Sequence, residues 1–362
     1  AGDAAAVDAL VSLYPGPLQT YLATAAPAHL GVLRRYFHLG GALRMRRMAV
    51  SAATFAPAPR TAIEERGEVV VRPARGLDGV HGVDAPRDAV DAGVAAGIAV
   101  GVLQTDKVNF GGVAPMIIYM AKTREVHCID GLGVWPQAIT PDYFQKNHNS
   151  KIPPGVLRSV VPAAPDAWIT ALERFGTMTF AEVASAAIRF ARDGFPMYPL
   201  MSQFIKDNEA SYRRWPSSAE VFLPNGKPPK VGDLFVQRDL GRTIQYMADQ
   251  EKAQSAKGRV AGLHAARDAF YKGDIANLIA KYHRENGGWV TEQDLADYRV
   301  SFETPLTTRY GDVDLYTCGP WCQGPVLAQA VNILSGIDLK ALGHNSPQYI
   351  HVLTEALKLS FA

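Results

Sequence analysis

The stretch AVDAGVAAGIAVGVLQTDKVNFGGVAPMIIYMA, residues 89–121, sets two kinds of local structure side by side. From Val90 to Leu103 it is rich in alanine, glycine and valine, with little bulk. Side chains that small predict a buried helix able to pack closely against a sheet. The glycine pair Gly111–Gly112 then leads into an apolar run ending at Ala121, which predicts a strand. EVHCID, residues 125–130, alternates as a partner strand should, and AKTR, residues 121–124, makes the hairpin between them. A small-residue helix followed by paired strands gives an α/β chain.

Outward from this stretch the same grammar continues. In TFAEVASAAIRFARDGFPM, residues 179–197, Phe180, Val183, Ala187, Ile188 and Ala191 share one helical face, and Gly194 and Pro196 end the helix. PLTTRYGDVDLYTC, residues 305–318, reads as two short strands turning at Gly311, which makes Thr307 and Thr308 strand residues. Residues 324–339 and 346–362 read as two more helices, the second capped by Ser346 with Pro347 at its first position. The first part of the chain differs. LRRYFHLGGALRMRRM, residues 33–48, is arginine-rich, and FAPAPRTAIEERG, residues 55–67, reads as a linker. Residues 1–66 are therefore set apart as an extension, most simply a solvated helical face docking on its own protein, and 67–362 as the main domain.

The chain of 362 residues is 48% hydrophobic, enough to bury a large core, and its net charge of +2 gives no reason to expect nucleic acid as a partner. No apolar run approaches the roughly 20 residues of a membrane span. The first residues show no basic region ahead of an apolar stretch, which favours a cytoplasmic protein, although a leader already removed leaves export open. Cys128, Cys318 and Cys322 are too few for a disulfide framework and read as a set kept reduced. The CGPWC spacing is not that of a thiol oxidoreductase. His351 and Glu355 stand at i and i+4, the spacing of a ligand or acid–base pair, yet within a packing helix. Neither cofactor nor metal is expected.

Six segments, taken in order, resemble the γ-glutamyltranspeptidase-like group of N-terminal nucleophile hydrolases: residues 89–121, 176–197, 221–248, 268–280, 287–334 and 346–362. The resemblance covers roughly residues 88 to 362. It implies an α+β, four-layer αββα sandwich completed by a separate small chain cut from the same precursor. The pair would be an αβ heterodimer, able to pair again into a dimer of heterodimers. This chain would be most of the large chain, which fits its stopping within a helical pattern. The nucleophile would be the first threonine of the small chain, so that no catalytic residue is expected here. Such a hydroxyl is activated by its own α-amine, attacks an amide carbonyl, and leaves an acyl-enzyme that water or an amine resolves.

The resemblance also makes a local departure visible in CIDGLGVWPQAIT, residues 128–140. In γ-glutamyl enzymes the matching turn carries an arginine that pairs with the substrate's α-carboxylate. Aligning Asp130 and Pro136 puts Leu132 at that arginine. Leucine has no donor and no charge, whereas an arginine–carboxylate fork is planar and charge-assisted. The pocket implied by Leu132, Gly131, Gly133 and Trp135 would then take an acyl group without a carboxylate at that point. The competing readings are that Arg124 or Arg87 supplies the charge, or that the alignment slips. Asp130 reads as a turn residue bonding its own backbone. Asn109 and Phe110 either border the pocket or enter a strand, beside two glycines where the family often has four. Trp321, Cys322 and Gln323, in GPWCQGPVL (319–327), are second-tier candidates near the cleft. Three functions follow: hydrolysis of a small amide or N-acyl substrate, a true γ-glutamyl hydrolase or transferase, or a catalytically silent binding subunit.

Overall fold

The computed structural model describes residues 89–362. The arginine-rich stretch, the linker, the proposed boundary at residue 66 and Arg87 lie outside the described residues. Two compact units meet in sequence between Thr304 and Pro305 and are treated separately.

In the first unit, α1 (Ala89–Leu103) is the small-residue helix expected, and Val94, Ile98 and Val102 are buried along it. The reason for its small residues lies in its neighbours. A Cβ on Gly97 would sit 2.7 Å from the Trp168 indole nitrogen, and one on Gly101 would sit 3.3 Å from the Phe110 backbone nitrogen. Buried Asp91 bridges outward: Thr177 N–H, Thr177 hydroxyl and Met178 N–H all donate to its carboxylate. Strands β1 (Met116–Met120) and β2 (Glu125–Ile129) pair antiparallel through the predicted hairpin. β2 does not alternate cleanly, because adjacent Cys128 and Ile129 are both buried. It is the central strand of its sheet, and both faces are covered at that end.

Four helices follow: α2 (Tyr143–His148), which buries no residue, α3 (Ala164–Phe175) and α4 (Phe180–Asp193), which supply much of the core, and α5 (Pro199–Asp207). α4 buries all five residues of its predicted face. Its start is fixed by a capping box, in which the Thr179 hydroxyl accepts from Glu182 N–H and the Glu182 carboxylate accepts from Thr179 N–H. A two-residue pair, β3 (Phe195–Pro196) and β4 (Leu234–Phe235), closes a satellite cluster around Met197, Met201, Ile205 and Leu223. Then come α6 (Arg238–Ala253), α7 (Arg259–Tyr271), α8 (Asp274–Glu285) and α9 (Glu292–Asp297). β5 (Phe302–Glu303) joins the free side of β2, completing the order β1-β2-β5.

The second unit holds a hairpin of β6 (Leu306–Tyr310) and β7 (Val313–Thr317), then α10 (Gly324–Leu334) and α11 (Pro347–Phe361). Thr307 and Thr308 are strand residues, and Thr308 donates to the Asn332 side chain of α10. α10 ends five residues earlier than the periodicity suggests, at Ser335–Gly336, while Ser346 caps α11 by accepting from Tyr349 N–H. The reading of the cysteines as a reduced set is corrected here. Cys318 and Cys322 form a disulfide, because the turn before α10 brings their Cα atoms to 6.7 Å, within the span such a bond bridges. Cys128 remains a free, buried thiol, pushed upward in pKa by burial and then by Glu303 and Asp130. Among the described residues, no helix is long and apolar enough to cross a membrane.

Candidate functional site

The turn at residues 130–137 leaves β2 and is held at several points. Asp130 N–H donates to the Ser301 carbonyl at 3.2 Å, while its carboxylate accepts from Ser301 N–H (3.1 Å), the Ser301 hydroxyl (2.8 Å) and Gly131 N–H. Ala114 N–H donates to the Gly131 carbonyl, and Val161 N–H to the Val134 carbonyl, each at 2.8 Å. Gln137 N–H donates to Asp294 at 2.9 Å. Burial alone would raise the Asp294 pKa, but Gln137 and Thr291 hold its carboxyl below the ordinary range.

Two glycines make this path feasible. Gly131 has φ +47° and Gly133 has φ +87°. A Cβ on Gly131 would lie 2.2 Å from the Ala114 carbonyl oxygen, and one on Gly133 would lie 2.4 Å from that of Val161. Conformation and close approach therefore both demand glycine. With the backbone pinned, Leu132, Val134 and Trp135 stand exposed on the turn.

Beneath the turn lies a buried polar network. Asp166 accepts from Arg267 Nε and from Val300 N–H, the latter at 2.7 Å. Arg267 also donates to the Tyr298 carbonyl, and the Tyr271 hydroxyl donates to the Pro162 carbonyl. Burial, followed by the nearby charges of Asp130 and Asp166, pushes the Tyr298 hydroxyl well above its ordinary pKa. This network fixes residues 298–300, and so positions Ser301, which holds Asp130.

The other predicted residues are distributed as follows. Asn109 is exposed, with its carbonyl accepting from Gly112 N–H. Phe110 is 3% exposed and packs in the core against Trp168 and Phe270, with ring centroids 5.3 and 6.2 Å away. Arg124 lies in the β1–β2 hairpin, at the opposite end of β2 from Gly131. At about 3.3 Å per residue that is roughly 20 Å along the strand, so Arg124 does not stand in for an arginine at the turn. Trp321 and Cys322 are half-buried and Gln323 is exposed, all in the loop before α10 in the second unit. Glu355 accepts from Lys358 at 2.9 Å rather than pairing with His351.

Sequence reasoning missed what flanks Trp135. An open cleft of about 860 Å³ is lined by Trp135, His148, Lys151, Ile152, Pro154 and Arg158. α2 ends in two consecutive left-handed residues, Asn149 (φ 51°) and Ser150 (φ 61°), which swing the chain round to form this wall. The signal available in the sequence was KIPPGVLR, residues 151–158: two basic residues bracketing a stiff Pro-Pro-Gly.

A family model described as gamma-glutamyltranspeptidase matches residues 86–362. The chain is 32% identical over 322 residues to the acylase ACY 1 proenzyme of a Pseudomonas species, covering 86% of this chain and 55% of that relative. It is 31% identical over 331 residues to the glutathione hydrolase proenzyme of Escherichia coli, covering 86% of this chain and 54% of that protein. The chain thus spans about half the length of the curated relatives it matches. Among solved structures, the γ-glutamyltranspeptidase of Helicobacter pylori superposes with a TM-score of 0.68 at 27% identity, covering 76% of each chain. The mixed helix-and-sheet fold is that of the N-terminal nucleophile hydrolases.

Proposed function

The chain belongs to the γ-glutamyltranspeptidase family, and from that premise we propose that it is the larger part of an autoprocessed amidohydrolase acting on a small amide or N-acyl substrate that is not γ-glutamyl. The attacking hydroxyl belongs to the first residue, a threonine, of a small chain released from the same precursor. That threonine's α-amine takes the proton, the hydroxyl adds to the amide carbonyl, and the collapsing intermediate expels the amine as an acyl-enzyme. Water then releases the acid. Backbone donors on the small chain stabilise the oxyanion, each removable at a cost of about 3 kcal/mol in barrier. That the relatives in both lineages are proenzymes supports processing.

The observation that carries the choice of substrate is Leu132. It stands exposed on a turn braced by Asp130, Gly131 and Gly133, where the family's glutamyl enzymes place an arginine. A leucine there leaves a carboxylate without a partner, and desolvating an unpaired charge costs several kcal/mol. Trp135 offers an aromatic wall on the same turn.

The deciding experiment compares a γ-glutamyl anilide with neutral N-acyl anilides on the processed protein. Faster turnover of the neutral series is expected. Clear γ-glutamyl turnover, lost on substituting another basic residue, would favour a true γ-glutamyl enzyme, a reading that the similarity to a glutathione hydrolase keeps in play. A companion chain beginning with anything but Thr, Ser or Cys would leave only a silent binding subunit.

A further inference from the structure

The cleft beside Trp135 has a chemical character of its own. Its lining contains two cations, Lys151 and Arg158, an imidazole, His148, and no carboxylate. Neither cation has an acidic partner among the described residues, although Arg213, Arg242, Arg284, Lys272 and Lys358 all do. Arg158 is nonetheless oriented. Its Nε and Nη2 both donate to the Ile152 carbonyl, at 3.2 and 3.0 Å, which sets the guanidinium plane and leaves Nη1 for another acceptor. The backbone bearing both cations is stiff. Lys151 N–H donates to the His148 carbonyl, two prolines follow, and a Cβ on Gly155 would lie 2.5 Å from the Trp215 ring. Trp135, 42% exposed, and Ile152, 39% exposed, add apolar surface. The volume falls within the range of about 300–1,000 Å³ common for small-molecule sites.

We propose that this cleft is a carboxylate-binding subsite: Arg158 Nη1 and Lys151 Nζ hold the acid group of a substrate whose apolar body lies against Trp135 and Ile152. This rests on the reading of the chain as an amidohydrolase and narrows its substrates to amides with an acid group remote from the position facing Leu132. The arrangement supplies what the turn lacks. At residue 132 the chain offers a carboxylate nothing, whereas the cleft beside Trp135 offers an oriented guanidinium and an exposed ammonium. A held donor such as Arg158 loses little freedom on binding, so most of its interaction appears as affinity.

The test separates the cleft from the chemistry. The full processed protein is titrated calorimetrically with 3-phenylpropanoate and with its neutral counterpart 3-phenylpropanamide. The acid should bind about tenfold more tightly, the effect of one charge-assisted hydrogen bond. Lys151→Gln and Arg158→Gln should each remove most of that preference, while Arg158→Lys, which keeps the charge but not the fork, should retain part of it. Equal binding of acid and amide, no binding of the acid, or a preference unchanged in both glutamine variants would overturn the proposal. In parallel, anilides of ω-carboxyacyl groups are compared with uncharged acyl anilides of equal length. Higher kcat/KM for the carboxylated series supports the cleft. If no anilide is turned over, the amidohydrolase reading fails, while the titration still decides the cleft.

Discussion

Asp166 and Arg267 lie inside the core, 1% and 6% exposed at their side chains, with their charges answered by each other and by backbone groups. Lys151 and Arg158 lie on the rim of a cleft with no acid facing them. Both pairs are charged, and Arg158 is held by hydrogen bonds as the inner pair is, so charge and order alone do not tell them apart. What differs is whether each charge meets its complement within the chain. A buried charge must be compensated in the folded state or the fold fails. A rim charge in water needs nothing, and one left open is available to a ligand at little cost in stability. The inner pair sets the position of Ser301 and hence of Asp130, whereas the outer pair faces outward beside the turn so positioned.

The largest effect should come from breaking the inner pair. Asp166→Asn removes the buried counter-charge of the Arg267 guanidinium, leaving only the half-exposed Asp268 carboxylate 3.4 Å from Nη1, and should cost about 3 kcal/mol in chemical denaturation. Lys151→Gln, measured alongside, should stay within about 0.5 kcal/mol of the parent. Equal losses from the two would erase the distinction. Next in size is the turn that lies beside both regions. Gly133→Ala puts a Cβ against the Val161 carbonyl at a positive φ, and should cost about 1–3 kcal/mol. A variant of unchanged stability would mean that the turn relaxes easily and that Leu132 has no fixed place.

Leu132→Arg asks whether an open cation can be installed where the family's glutamyl enzymes have one. The guanidinium should lower KM for substrates with an α-carboxylate roughly tenfold, as one charged hydrogen bond would. Steady-state kinetics on a γ-glutamyl anilide give the readout. An unchanged KM would show that residue 132 does not face the acyl group.

The sequence carried the inner scaffold better than the outer cleft, for a physical reason. The α4 face and the Ser346 cap are local patterns, repeated within a turn or two of helix and legible without knowing any partner. The small residues of α1 are local too, though the cause, Trp168 pressing on Gly97, appears only in the fold. Asp166 and Arg267 are 101 residues apart, and nothing in their own neighbourhoods announces the pair. Phe110 reads as readily as a pocket wall as the core residue it is, since an aromatic after an exposed asparagine suits both. Arg124 looked close to the turn in sequence and is a strand-length away in space. The Cys318–Cys322 bond escaped an argument from cysteine number because pairing depends on how a turn places two Cα atoms. The cleft cations were overlooked because KIPPGVLR has no periodicity, and only the left-handed turn at Asn149–Ser150 brings it beside Trp135.

Glu251 is an intermediate case and gives the smallest, most discriminating effect. It is 4% exposed, like the inner pair, but its direct partners are Phe180 N–H at 2.8 Å and Ala181 N–H at 2.7 Å, at the start of α4. Those donors, the positive end of the helix, favour the carboxylate. Burial opposes them and is the larger influence, so the Glu251 pKa is raised above its ordinary 4.5. The folded protein therefore holds this proton more tightly than the unfolded chain does. Its contribution to stability is complete below pH 4.5 and is lost as the pH rises through the folded value. The glutamine variant cannot titrate, so the stability of the parent minus that of Glu251→Gln should fall as the pH is raised from below 4.5, in denaturation curves at several pH values. A difference that instead grows with pH would mean that the helix N–H groups, together with the nearby charge of Arg259, outweigh burial and hold the carboxylate ionised.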